Sequence, residues 1–184
     1  MKKVPSILVV VSLLIIIQAC SVQFAEPVKF QGQTQGTYYA ITYFDENQRN
    51  FQPEIEQFLA DFDLTASIWV EGSIISRINR DEDTVVINPA FRAIFEKSKY
   101  IYERSGGAFD PTVGPLVNAW GFGFTDRMKV DQHVIDSLLP LVGFDKVSLE
   151  GDHVLKADPR VQFDFNAIAQ GYSVDLIGGF LAEK

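Results

Sequence analysis

Residues 107–123 read GAFDPTVGPLVNAWGFG. Pro111, Pro115 and the glycines at 107, 114, 121 and 123 argue against an ordinary helix interior, because proline lacks the amide donor and glycine loses the most backbone entropy on ordering. Phe109, Val113, Leu116, Val117, Trp120, Phe122 and the neighbouring Phe124 argue against an ordinary exposed loop. The single carboxylate is Asp110. Pro111 biases Asp110 away from helical geometry and is itself suited to a first turn. The stretch therefore predicts a helix opening at Pro111, capped by Asp110 with Thr112 behind it, and buried through Val113, Leu116, Val117 and Trp120. The glycines let backbone approach something flat or bulky. A capped core helix is the plainer account on composition alone. A binding wall at its leading edge, Ala108-Phe109-Asp110, stands beside it.

Outward from that stretch the chain alternates strand and helix signals. Val28 to Phe44 reads as a hairpin punctuated by Gly32 and Gly36, with strand formers from Thr37 to Tyr43. Phe51, Ile55, Phe58, Leu59 and Phe62 recur at helical spacing with Pro53 near the start. A polar loop with Ser67, Trp69, Gly72 and Ser73 follows, then a short strand at Thr84–Ile87. Asn88-Pro89 predicts an N-cap with proline in the first turn, and Gly106 the stop of that helix. Downstream, Asp131 caps a helix through Leu141. Val147–Leu149 and Val154–Lys156 form a hairpin around Glu150-Gly151-Asp152. Val161–Phe165 reads as a strand, and Ile168–Leu181 as a helix rich in small residues. Hairpins outnumber strand-helix-strand crossovers, so the expected class is α+β, mixed helices with a largely antiparallel sheet.

The whole-chain balance removes several functions. A net charge of −8 with no Lys/Arg cluster argues against a nucleic-acid partner. One cysteine and two histidines without ligand spacing leave no zinc site, while an oxygen-built magnesium or calcium site stays open. The first segment, MKKVPSILVVVSLLIIIQAC, has a positive start, an apolar run from Ser6 to Ile17 and the chain's one cysteine after a small residue. That layout is a secretory signal, too short for an ordinary membrane span of about 20 residues, and it resembles a bacterial lipoprotein signal. The expected organisation is a signal peptide at 1–19, a linker at 20–27 from a lipidated Cys20, and a domain from 28 to 184. Loss of Lys2 and Lys3 takes the balance to −10.

Two further stretches could carry chemistry. In Gln162-Phe163-Asp164-Phe165-Asn166-Ala167-Ile168-Ala169-Gln170-Gly171-Tyr172 a strand delivers Asp164 just before a helix. The carboxylate there reads equally as a cap and as a ligand contact. In Ser67–Asn79, Trp69 beside serines could stack on an aromatic ligand or sit in the core. No Ser/His/Asp arrangement for a nucleophile is visible.

In order and combination these blocks resemble the FAD:protein FMN transferases, the ApbE-type flavin transferases. The matching blocks are Gln35-Gly36-Thr37-Tyr38-Tyr39, the serine-rich run ending Arg77-Ile78-Asn79, Gly107–Val117 with Trp120-Gly121-Phe122, and Asp164–Tyr172. The resemblance implies an ApbE-like fold and an enzyme that moves FMN from FAD onto a Thr or Ser hydroxyl of a target protein, with Mg2+ and release of AMP. It implies that Ala108, Phe109, Asp110, Trp69 and Asp164 contact FAD, and that Ala167 offers its carbonyl to Mg2+. Gln35 replaces a methionine common in the family, and Gln170 a lysine or glutamate, so both contacts are altered. The export signal fits lipoprotein members that work on the periplasmic side of the bacterial envelope, held to the membrane by the N-terminal lipid.

The resemblance covers Val28 to Lys184 and only the N-terminal part of a family member. The family's aspartate- and threonine-containing metal region is outside it, so the chain is expected to be truncated, with weakened FAD binding and no transfer on its own. A lipid-anchored flavin-binding module without catalysis is the alternative. A generic exported solute-binding domain fits the four ordered blocks less well.

Overall fold

The computed structural model describes residues 26–123 and 129–184. The signal segment, Cys20, the linker as far as residue 25 and Phe124 lie outside the described residues. The described residues fall into two units, one holding 26–30 and 40–50, the other the remainder from residue 31 onward.

β1 (Pro27–Thr34) and β2 (Thr37–Phe44) form the expected hairpin. Gln35 and Gly36 make its two-residue turn with φ of 51° and 73°. Positive φ at both positions is the type I′ geometry that matches strand twist. In the first unit, Asp45 closes the loop after β2. It accepts from the backbone N–H of Asn47 (3.1 Å) and Arg49 (2.9 Å) and from Arg49 Nε (2.9 Å). These bonds, the guanidinium's foremost, hold its carboxyl at about 2.

The second unit carries the core. α1 (Gln52–Ala66) buries Ile55, Leu59, Phe62 and Ala66 on one stripe, as the spacing predicts. The loop after it closes on a short helix that the sequence does not announce, α2 (Ile74–Asn79), whose first turn is capped by Ser73 Oγ accepting from Ser76 N at 3.1 Å. α3 (Pro89–Ser105) has both expected ends. Asn88 Oδ1 accepts from Phe91 N at 2.8 Å, and Gly106 stops the helix in the left-handed region at φ 61°. The Asn88 amide also donates to Thr65 Oγ1 at 2.8 Å, tying α3 to α1. Asn88→Ala removes a cap and a part-buried tie together. It is expected to destabilise the fold by about 1–2 kcal/mol in denaturant unfolding.

α4 (Gly114–Ala119) corrects the opening stretch. The helix begins three residues later than Pro111, with Val113 at its N-cap and Pro115 in its first turn. Asp110 caps nothing. Its Oδ1 accepts from Thr112 N (2.8 Å) and Thr112 Oγ1 (2.6 Å), so the carboxylate builds a local turn instead of starting a helix. Burial falls on Pro111, Thr112, Gly114, Pro115 and Ala119, while Val113, Leu116, Val117 and Trp120 are only half-buried. α5 (Gln132–Leu138) is capped by Asp131 Oδ1 accepting from Val134 N at 3.0 Å, and a 3-10 turn carries it through Leu141. β3 (Val147–Glu150) and β4 (His153–Lys156) pair antiparallel, with Val147 opposite Lys156. α6 (Asn166–Ala182) closes the sequence, two residues earlier at its start than expected.

Two expected strands carry no ladder among the described residues. Among the described residues, Thr84–Ile87 is held by Ile87 N→Asp152 O (2.9 Å) and a Val85 O contact with His153 Nδ1 (2.9 Å). Val161–Phe165 makes one parallel bridge, Gln162 to Val113. Its alternation is still that of a strand. Val161, Phe163 and Phe165 turn into the core, the two rings 5.4 Å apart and Phe165 5.3 Å from Phe91. The fold is α+β with small antiparallel sheets, as expected.

Candidate functional site

The alternation of 161–165 sends Gln162 and Asp164 away from the aromatic core, and there they line a cavity of about 430 Å3. Its other walls come from the loop before α2, the end of α2 at Asn79, and Gly114 and Asn118 of α4. Asp164 is set by local bonds. Its N–H donates to Pro111 O at 2.7 Å, and its Oδ1 accepts from Asn166 N at 2.7 Å at the start of α6. Oδ2 takes a longer bond from Asn166 Nδ2, 3.3 Å. Among the described residues no cation pairs with it. Arg80, on the same cavity, is bonded to Glu82. An ionised carboxylate is acceptor-only, with about four lone-pair directions. Asp164 can therefore take donors from a ligand, a ribose hydroxyl or a ring N–H, and is ill suited to phosphate.

A second cavity of about 350 Å3 lies between the hairpin turn, the end of α1 and the first turns of α6. Gln35 and Gly36 wall one side, Asn166, Ala169 and Gln170 another, and Phe62 and Ala66 its apolar wall. The Gln35 amide donates to Ser173 Oγ at 3.5 Å, and that hydroxyl donates to Gln170 O at 2.8 Å. Asp63 is the one carboxylate on the described lining. Burial pushes its carboxyl above the usual range.

Trp69 is common to both cavities and is 60% exposed. The serines explain how an exposed indole is held. Ser73 Oγ donates to Ser67 O (2.7 Å), Ser76 Oγ donates to Ile68 O (3.1 Å), and Trp69 N donates to Ser67 Oγ (3.3 Å). The serine block is a brace for the loop that presents Trp69.

The expected site residues thus fall into two groups. Gln35, Trp69, Asp164 and Gln170 are brought together. Ala108, Phe109 and Asp110 line neither cavity. Phe109 N donates to Ser105 Oγ at 3.0 Å, and Asp110 is occupied by Thr112, whose hydroxyl accepts from Gly143 N at 2.7 Å. They reach the first cavity indirectly, through Pro111 O and Gly114. Asp63, Asn118 and Gln162 join the lining, none of them a site candidate from the sequence. Asn118 Nδ2 donates to Gln162 Oε1 at 2.8 Å across 44 positions, a pairing with no local signal.

Ala167 is exposed in the first turn of α6, where helix carbonyls are engaged by the ladder. With Asp164 it offers far fewer oxygens than the roughly six that Mg2+ takes. Among the described residues no group of three or more His, Cys, Asp or Glu side chains could hold a metal. The donor set present does not make a magnesium shell.

The sequence profile of the ApbE family matches residues 35–184, from the hairpin turn to the end of α6 and beyond. This chain belongs to the ApbE family. The flavin transferase ApbE from Vibrio cholerae superposes with a TM-score of 0.80 at 28% identity, over 86% of this chain and 54% of that one. The apo Pseudomonas stutzeri flavinyl transferase ApbE gives 0.79 at 28% identity, over 89% and 57%. By sequence, the FAD:protein FMN transferase of Haemophilus influenzae is 29% identical, over 96% of this chain and 55% of the relative. The chain spans about half the length of the curated relatives it matches. The ApbE match begins at Gln35, so both cavities fall inside the family region.

Proposed function

We propose that this chain is the flavin-binding part of an FAD:protein FMN transferase. The observation that carries the reading is the pair of cavities divided by one braced indole, with Asp164 on one side and Gln35 and Gln170 on the other. A dinucleotide has two flat ends and a polar middle. Each cavity falls within the usual size of a small-molecule site, and an aromatic wall offers a face for ring stacking. The relatives named FAD:protein FMN transferase support FAD as that dinucleotide. In the reaction, the oxygen of a Thr or Ser hydroxyl on the target protein bonds to the FMN phosphorus. The bond to the bridging pyrophosphate oxygen breaks, AMP departs, and the hydroxyl proton is lost to a base or solvent. Mg2+ belongs to this reading as the ion that would stabilise charge on the transferring phosphoryl group. By resemblance its contact here would be the Ala167 carbonyl, which alone does not make its shell.

Lipidation at Cys20 would hold the domain to the membrane on the periplasmic side of a bacterial envelope, where an acidic surface adds little attraction for anionic lipid. The second reading is a lipid-anchored flavin-binding module without catalysis. Two measurements separate them. Flavin fluorescence on the purified chain reports FAD binding. Incubation with FAD, Mg2+ and a target protein bearing an acceptor threonine reports covalent FMN by in-gel fluorescence. Metal-dependent attachment supports the enzyme. FAD retained without metal and without attachment supports the module, and no FAD binding overturns both.

A further inference from the structure

Phe163 stands where a neighbouring strand is missing. Its side chain is 1% exposed, and its backbone groups have no ladder partner. Asn79, the last residue of α2, supplies both bonds. Its Nδ2 donates to Phe163 O at 2.9 Å, and its Oδ1 accepts from Phe163 N at 2.7 Å. This pair copies the closely spaced bonds of an antiparallel ladder, made by a carboxamide instead of a peptide. On the opposite edge Gln162 bridges Val113, and Asp164 N donates to Pro111 O. Successive residues thus lean on alternate edges, as in a strand. Asp164 takes its direction from ties on both sides. A second link joins the same two pieces, since Lys156 Nζ donates to Ile78 O (3.0 Å) beside Asn79 and to Val161 O (3.2 Å).

We propose that Asn79 is the positioning residue for Asp164. Each polar atom of its amide is engaged by Phe163, so although Asn79 borders the first cavity it acts through the peptide groups on either side of residue 163. Those groups set where the Asp164 carboxylate points. The proposal rests on the reading of this cavity as a flavin site.

The test uses the full chain, FAD as the probe, and the variants Asn79→Ala and Asn79→Asp. Asn79→Ala leaves a buried N–H and C=O unpaired, and a weakening of FAD binding of about tenfold or more is expected. Amide exchange should speed up locally at Phe163 and Asp164, with the α3 amides unchanged. Asn79→Asp keeps the shape and discriminates positioning from bulk stability. Ionised, it accepts from Phe163 N but cannot donate to Phe163 O. Protonated, it regains an O–H donor. Its binding deficit relative to wild type at the same pH should therefore be large near neutrality and shrink at about pH 4 or below. A deficit that does not change with pH, or wild-type affinity in both variants, overturns the proposal. So does weakened binding with Phe163 exchange unaltered. A wild-type chain that binds no FAD sinks the flavin reading itself and this role with it, whereas failure of Asn79 alone leaves wild-type binding intact.

Discussion

Gly114→Ala is expected to lower Tm by roughly 5 °C and to weaken ligand binding at the first cavity with it. A Cβ at position 114 would meet Gln162 O at 2.6 Å and the carbonyl carbon of Gln162 at 2.9 Å. Both neighbours are backbone, so no side chain can swing away. The bridge between Val113 and Gln162 is the contact that would have to open, and Gly114 and Gln162 both line the cavity. Overpacking of this kind costs about 1–3 kcal/mol. A chain of this length loses about 2–4 °C per kcal/mol. Gly171→Ala is the control of opposite sign. Nothing lies within 4 Å of its added carbon and its backbone is helical, so alanine should be neutral or stabilising by up to about 1 kcal/mol. Calorimetry on the two variants checks both. Equal Tm values for Gly114→Ala and wild type would mean that the 113–114 and 162 backbones do not approach closely.

Elements whose signals are local are legible in the sequence. Asn88, Asp131 and Gly106 mark helix ends through bonds to residues three or four away, and Gln35-Gly36 marks a hairpin tip through its own φ values. Asp110 is ambiguous because the same carboxylate serves a cap or an Asx turn. Thr112 decides between them by donating twice to Asp110 and accepting from Gly143, 31 positions away. Val161–Phe165 reads as a strand on its alternation, and the alternation is real. What a sequence cannot display is the identity of the ladder partner, here a side-chain amide 84 positions upstream. The site shows the same division. Trp69, Asp164 and Gln170 are marked by local context and family resemblance. What the sequence leaves unsaid is the task of the serines, whose hydroxyls are spent on the loop that carries Trp69.

Asp164→Ala is expected to weaken FAD binding by about tenfold to a hundredfold, the range set by losing one or two hydrogen bonds to a charged acceptor. The carboxylate has two jobs that the variant removes together. It accepts from Asn166 N at the entrance to α6, and it presents unused lone pairs to the first cavity. The first job, a local turn of the kind Asp110 makes, is worth about 1 kcal/mol of stability, and shows in Tm. The second shows only in affinity. Asp164→Asn separates them. The amide oxygen can still accept from Asn166 N, and only the longer 3.3 Å bond from Asn166 Nδ2 is lost, so Tm should stay near wild type. The negative charge is gone and one terminus becomes a donor, so a ligand hydroxyl or ring N–H that met the second oxygen now meets an N–H. Affinity should still fall by about tenfold, close to one charge-assisted bond. The opposite pattern, normal affinity with reduced Tm in both variants, would make Asp164 a structural turn residue alone. The ligand would then depend on Trp69 and the second cavity, and Trp69→Ala would become the variant that abolishes binding.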